Sequence, residues 1–260
     1  MRASMKFATW NVNSIRARMP RVGAWLAEHQ PEVLCIQETK VTDEDFPELE
    51  MRASGYVSTL FGQKTYNGVA VLSRLPPTDV ERGFGDGIHD PEARFLAATV
   101  RGIRFLCAYV PNGQSVGSEK FVYKLEWLRR LRAYLDARVR RDIDVVLCGD
   151  FNVAPEPRDV HDPGIWDGQV LFHPDERAAL QKVLAWGMVD LFRKHHPESG
   201  LFSWWDYRQL SFPRNRGLRI DHLLGTSSVA ARCSDALIDR NARKGKQPSD
   251  HAPVIGILSD

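Results

Sequence analysis

V-V-L-C-G-D-F-N, residues 145–152, begins as a buried strand and ends in polar chemistry. Four apolar residues in succession, Val145 to Cys148, suit a strand covered on both faces. Gly149 then permits a close backbone approach. Asp150 and Asn152 follow two apart, on the same side of an extended chain, and can address one ligand together. Taken alone, the pair serves equally well to close a turn after the strand.

The same arrangement recurs on either side of this stretch. Acids and amides stand at the ends of apolar runs in W-N-V-N (Trp10 to Asn13), I-Q-E-T-K (Ile36 to Lys40), Y-V-P-N-G (Tyr109 to Gly113), R-I-D-H (Arg219 to His222) and S-D-H-A-P (Ser249 to Pro253). A carboxylate taken out of solvent is costly unless it is paired or holds a metal, so the repetition points to a site. Asp250 and His251 are adjacent and diverge in an extended chain, which leaves Asp221 to orient the imidazole and favour its cation beside a phosphate. Carboxylate and amide oxygens without cysteine–histidine ligand spacing suit a hard divalent ion, magnesium or manganese, rather than zinc. Such an ion, several amide donors and an imidazole could bind a phosphodiester, polarise it and activate water.

Strand-like runs are expected at Lys6–Val12, Glu32–Gln37, Tyr56–Phe61, Val69–Ser73, Phe95–Arg101, Ile103–Val110, Asp144–Cys148, Leu218–Leu224 and Ala252–Leu258. The runs 95–101 and 103–110, split by Gly102, read as antiparallel neighbours in a mixed α/β sheet architecture with helices outside. Helical spacing of Phe121, Leu125, Leu128, Leu135 and Val139 predicts a helix over Ser118–Arg140. Lys120, Lys124, Arg129 and Arg130 are expected on its polar side, either solvated or facing a polyanion. Pro20 is expected to open another helix, with Val22, Trp25, Leu26 and His29 facing inward. The Gly/Asp-rich stretch Arg82–Pro91 reads as a surface loop.

The totals exclude several classes. A chain of 260 residues with 43% hydrophobic and 26% charged side chains matches ordinary globular usage, so disorder, collagen-like repeats and coiled coils are set aside. No repeat or linker stands out, and one domain over 1–260, in two similar packed halves, is expected. Basic and acidic residues number 35 and 33, a net +2, which leaves nucleic-acid binding to the distribution of charge rather than its sum. Cys35, Cys107, Cys148 and Cys233 form no C-x-x-C pair and read as buried thiols of a reducing compartment. The opening M-R-A-S-M-K-F lacks a signal-peptide core, Met5 is an alternative start, and no segment is apolar enough to span a bilayer. A soluble, cytoplasmic, monomeric protein is expected.

The ordered set W-N-V-N-S-I-R, I-Q-E-T-K, N-G-V-A-V-L-S-R, Y-V-P-N-G, G-D-F-N-V-A-P, F-S-W-W-D-Y-R, N-R-G-L-R-I-D-H and P-S-D-H-A-P-V covers nearly the whole chain. It resembles the exonuclease III branch of abasic-site endonucleases in the endonuclease/exonuclease/phosphatase superfamily. That resemblance implies a four-layered α/β sandwich, two mixed sheets packed face to face with helices on the outside. It also implies magnesium-dependent hydrolysis of double-stranded DNA 5′ to abasic sites, leaving a 3′-hydroxyl, together with removal of 3′ blocks and 3′ to 5′ digestion.

Carried over residue by residue, the resemblance makes Glu38 the principal metal ligand, assisted by Asn11 and Asp250, with Asp150, Asn152 and His251 also at the metal. Asp150 positions or deprotonates the attacking water, Asn152 and His251 hold phosphate oxygens, Asp221 orients His251, and Tyr109 sits against the phosphate. Asn13 stands where some relatives have Asp, which puts a second metal contribution in question. Contacts to DNA are expected from Lys64, Asn67, Arg94, Asn112, Lys120, Trp204, Trp205 and Arg216. One tryptophan of the 204–205 pair is expected to pack inward, while the other joins Arg208, Arg214, Arg216 and Arg219 around an extrahelical sugar. The stretch Ile165–Pro174, with Trp166, Leu171, Phe172 and His173, could narrow that pocket. Rival readings are another branch of the superfamily, such as an inositol-phosphate phosphatase, a sphingomyelinase-like enzyme or an RNA deadenylase, a 3′-end-processing member with little abasic-site incision, and a DNA-binding module without catalysis.

Overall fold

The computed structural model describes residues 4–259. Among them, twelve strands form two six-stranded mixed sheets. They are β1 (Ser4–Asn11), β2 (Val33–Gln37), β3 (Val57–Phe61), β4 (Val69–Ser73), β5 (Thr78–Arg82), β6 (Phe95–Val100), β7 (Ile103–Tyr109), β8 (Val145–Asp150), β9 (Val189–Asp190), β10 (Asp221–Gly225), β11 (Cys233–Ile238) and β12 (Val254–Ser259). The helices are α1 (Ile15–His29), α2 (Glu48–Ala53), α3 (Glu119–Arg138), α4 (Pro163–Trp166), α5 (Pro174–Leu184), α6 (Leu191–His195) and α7 (Ser227–Arg232).

The first sheet runs β11-β12-β1-β2-β4-β3 and the second β5-β6-β7-β8-β10-β9. Each contains one parallel pair, β1 with β2 and β7 with β8, and in each case a long helix, α1 or α3, makes the crossover. Phe7, Cys35, Val71, Phe105, Cys107, Cys148 and Leu223 belong to the apolar layer between the sheets. Outside them, Trp25 and Leu26 of α1 cover Ala8, Leu34 and Ala70, while Trp127, Leu131 and Leu180 of α3 and α5 cover Ala97, Leu106 and Leu147. This is the expected four-layered sandwich. All four cysteines are buried and free. No helix among the described residues is long and apolar enough to cross a membrane.

Gly102 works as its spacing suggested: Arg101 and Gly102, both at positive φ, turn β6 back antiparallel onto β7, pairing Val100 with Ile103. At Gly149 (φ +147°), an added Cβ would lie 1.8 Å from the Ala108 carbonyl oxygen, so only glycine lets β8 pass β7 there.

Several expectations are corrected. Pro20 does not open α1; the helix begins at Ile15, capped by the Ser14 hydroxyl, and Pro20 sits inside it. The cap and the buried Ile15 start the helix early, at the cost of the hydrogen bond Pro20 cannot donate. The strand expected from Leu218 starts only at Asp221, because Leu218 instead bridges Trp204 and Val160. On α3, Lys124 and Arg130 do not face solvent. Lys124 is fully buried against Glu176, and Arg130 pairs with Asp86 and Asp90 from the Gly/Asp-rich loop. Strands β5, β9 and β11 went unread, β5 being a short, charged edge strand with little apolar signal.

Candidate active site

The ends of β1, β2, β7 and β8 and the start of β10 lie together, so both sheets contribute to one cluster. In the antiparallel register of β8 and β10, Asp150 sits opposite Asp221. In the parallel register of β7 and β8, Tyr109 sits beside Asp150. Glu38 (φ 55°), Lys40 (φ 56°), Asn13 (φ 47°) and Asn152 (φ 50°) all adopt left-handed backbone, a concentration of strained residues typical of functional sites.

Glu38 Oε1 accepts from Asn11 Nδ2 at 2.8 Å and from the Tyr109 hydroxyl at 2.9 Å, while Lys40 Nζ lies 2.8 Å from Glu38 Oε2. Burial works against the Glu38 anion, but the Lys40 charge and the Asn11 hydrogen bond hold its pKa below the ordinary value. Asn11 Nδ2 also donates to Asp150 Oδ2 at 2.9 Å, and its amide oxygen accepts from Asn13 N. In this orientation Asn11 braces two carboxylates and turns no oxygen toward them. Asp250 is held on both sides, by Asn13 Nδ2 at 3.0 Å and Trp204 Nε1 at 3.0 Å. Against the effect of burial, the His251 charge and these two donors keep its pKa low.

His251 Nδ1 lies 2.9 Å from Asp221 Oδ2, and that same oxygen accepts from the Ser203 hydroxyl at 2.6 Å. His251 Nε2 faces Asp150 Oδ2 at 3.7 Å. Burial disfavours the imidazolium, yet the charges of Asp221 and Asp150 outweigh it and lift the His251 pKa to about 10. Asp150 is pushed to about 7, chiefly by burial and then by the Asp221 and Glu38 charges, against the pull of His251 and Asn11. Asn152 closes the cluster. Its Nδ2 donates to Val110 O and Asp150 Oδ2, and its Oδ1 accepts from Asn112 Nδ2 at 3.2 Å.

These donors suit a divalent cation. Four carboxylates (Glu38, Asp150, Asp221, Asp250) face two cations (Lys40 and protonated His251), an excess of two negative charges when all are ionised. The raised Asp150 pKa reflects its burial first, with the Asp221 and Glu38 charges adding to it. Ligand atoms of Asp150, Asp221 and His251 lie within 4.8 Å of one another. The pair of Asp221 with His251 is already internally satisfied, which leaves Glu38, Asp150 and Asp250 as the carboxylates best able to accept an ion.

A groove of about 570 Å³ opens beside Tyr109, lined among others by Asn67, Arg94, Asn112 and Lys120. A second, of about 520 Å³, continues past Asn112 and Gln114 to Trp166, Val170 and Leu171. Lys64 and Arg216 are exposed but line neither of these grooves. Arg94 is largely committed, with its guanidinium over the Tyr109 ring at 4.5 Å and paired to Glu92.

The tryptophan pair divides. Trp204 is half-buried beside Asp250, whereas Trp205 is fully buried against Phe212, so its expected contact with DNA is corrected. Arg219 is likewise no part of an exposed wall; it is buried in ion pairs with Asp159 at 2.6 Å and Asp190 at 2.8 Å. Of the 165–174 stretch, Phe172 is a core side chain with Leu218 and Ile220, and His173 caps α5. Sequence reasoning passed over Lys40 and Ser203, and placed Lys124 on a polar helix face rather than behind the site. Lys40 lay within a quoted motif, but nothing in residue type announced that positive φ at Glu38 and Lys40 would fold the ammonium back onto the carboxylate.

Residues 8–251 match the Endonuclease/Exonuclease/phosphatase family, and the chain belongs to it. It is 36% identical to exodeoxyribonuclease III of Haemophilus influenzae over 96% of this chain and 98% of the relative. Its structure resembles that of an AP endonuclease from Archaeoglobus fulgidus (TM-score 0.95, 42% identity, 98% of this chain and 99% of that one). It is equally similar to a 3′ phosphatase from Neisseria bound to a product DNA hairpin (TM-score 0.96, 40% identity, 98% and 99% covered).

Proposed function

We propose that this chain is a DNA repair phosphodiesterase of the exodeoxyribonuclease III type. It cuts duplex DNA 5′ to abasic sites, leaves a 3′-hydroxyl and also clears blocked 3′ ends, with magnesium as the working ion and manganese as a substitute. The observation that carries this reading is that Asp150, Asp221 and His251 meet, with Glu38 tied to Asp150 through Asn11 and Asp250 next to His251, drawn from both sheets beside a groove with basic and amide side chains. The similarity to an exodeoxyribonuclease III and to an AP endonuclease over nearly full length supports the substrate class.

In this reading Glu38 and Asp250 hold the ion, which supplies charge neutralisation at the phosphate when bound. Asp150, buried and poised near neutral pH, takes the proton of the attacking water. Protonated His251, held by Asp221, directs Nε2 at a phosphate oxygen, and the Asn152 and Asn112 amides give further hydrogen bonds. Tyr109 stands as a neutral donor, since burial and then the Glu38 charge raise its pKa well above the ordinary value. A second reading, a 3′-end processor with little abasic incision, is favoured by the likeness to the Neisseria 3′ phosphatase.

The deciding experiment is incision of a duplex carrying one abasic analogue, with magnesium and with EDTA. Magnesium-dependent incision is expected, and Asp150→Asn should lower the rate roughly 10²-fold or more while duplex binding survives. Incision that persists in EDTA, or is unchanged in Asp150→Asn, refutes the assignment. Release of 3′-phosphate without abasic incision selects the second reading.

A further inference from the structure

Lys124 lies in the second turn of α3, and both it and Glu176 of α5 are fully buried. Its ammonium has three donors and all are used: on the Asn152 carbonyl at 2.6 Å, on the Asn112 carbonyl at 3.1 Å and on Glu176. The backbone following Asn112 passes directly over the lysine stem. Gly113 (φ +93°) sits there, and a Cβ on it would come 3.1 Å from Lys124 Cδ. From these two anchored backbones the side chains reach each other, Asn112 Nδ2 to Asn152 Oδ1, and Asn152 then reaches Asp150.

As a stabilising device the pair is a poor one, because the desolvation of two buried charges offsets most of their attraction, and an apolar replacement of similar volume is often neutral or better. What the geometry does supply is placement. One buried cation draws to a single point the carbonyls of two residues whose amides belong to different loops, Asn112 after β7 and Asn152 after β8. Glu176 fixes that cation and, through Oε2, accepts from His173 N at the start of α5.

We propose that Lys124 is a positioning residue for catalysis: from behind the site it sets the spacing of the Asn112 and Asn152 amides that receive the phosphate. The proposal rests on the phosphodiesterase reading above. It is distinct from a purely structural role, in which the pair would matter only for folding.

The test compares Lys124→Met with the double variant Lys124→Met/Glu176→Gln, which removes the uncompensated carboxylate while keeping an acceptor for His173. Magnesium-dependent incision of the abasic duplex is measured at a temperature where circular dichroism shows each protein fully folded. The double variant is expected to regain much of the thermal stability lost in the single one, yet to remain at least tenfold down in kcat/KM. Its Asn112 and Asn152 side-chain amide resonances should move, while that of Asn11 stays. A folded double variant within twofold of wild-type kcat/KM, or one with unmoved amide resonances, overturns the proposal. Wild-type protein inactive on the duplex would instead refute the phosphodiesterase reading, so the two failures are separable.

Discussion

Asp221 grips His251 through Nδ1 at 2.9 Å, leaving Nε2 turned toward Asp150 Oδ2 at 3.7 Å, so one imidazole is shared between two buried carboxylates. Burial opposes the charged ring, but these two acids lift its pKa to about 10. A group held above its ordinary value stabilises the fold fully below that value, near 6.5 for histidine, and loses the contribution as pH climbs through the raised one. Ion-free protein is therefore expected to lose stability between pH 7 and 10. A loss of about 2 kcal/mol corresponds to a fall of roughly 4–8 °C in Tm for a chain of this size. Asp221→Asn should flatten the decline, as melting curves in EDTA would show. An equal slope in both proteins would count against the coupling.

Trp204 tests the other side of the cluster. Its Nε1 donates to Asp250 Oδ2. Trp204→Phe keeps the ring and drops the donor, and loss of a group that orients a metal ligand typically weakens binding 10- to 100-fold. Calorimetric titration with magnesium should show a dissociation constant raised by roughly tenfold. An unchanged constant would detach Trp204 from the ion site.

The 165–174 stretch separates packing from access. Phe172 is buried with Leu218 and Ile220, so Phe172→Ala should cost about 3–5 kcal/mol in urea unfolding. Trp166 lines the groove beyond Asn112, so Trp166→Ala should instead change the ratio of abasic incision to 3′-phosphate release with little loss of stability. A ratio that stays fixed removes this segment from substrate selection.

Much of this was legible in residue order because apolar runs announce strands and polar residues at their ends stand out. The run Val145–Cys148 located β8, and the adjacency of Asp250 and His251 required a distant acid for the imidazole, which Asp221 supplies. What was not legible depends on partners far away in sequence. Lys124 and Arg130 read as a face that is solvated or turned to a polyanion until Glu176, Asp86 and Asp90 fold onto them, and Arg219 read as exposed until Asp159 and Asp190 enclose it. Backbone sign was equally hidden. Glu38, Lys40 and Asn152 are not glycines, so their positive φ values, which aim the site, left no mark in composition.

Because Glu38 and Asp250 hang from one sheet while Asp150 and Asp221 hang from the other, neither half carries a complete set of reacting groups. A chain with only one sheet formed would therefore lack part of the set. The full constellation exists only where the two sheets are packed face to face.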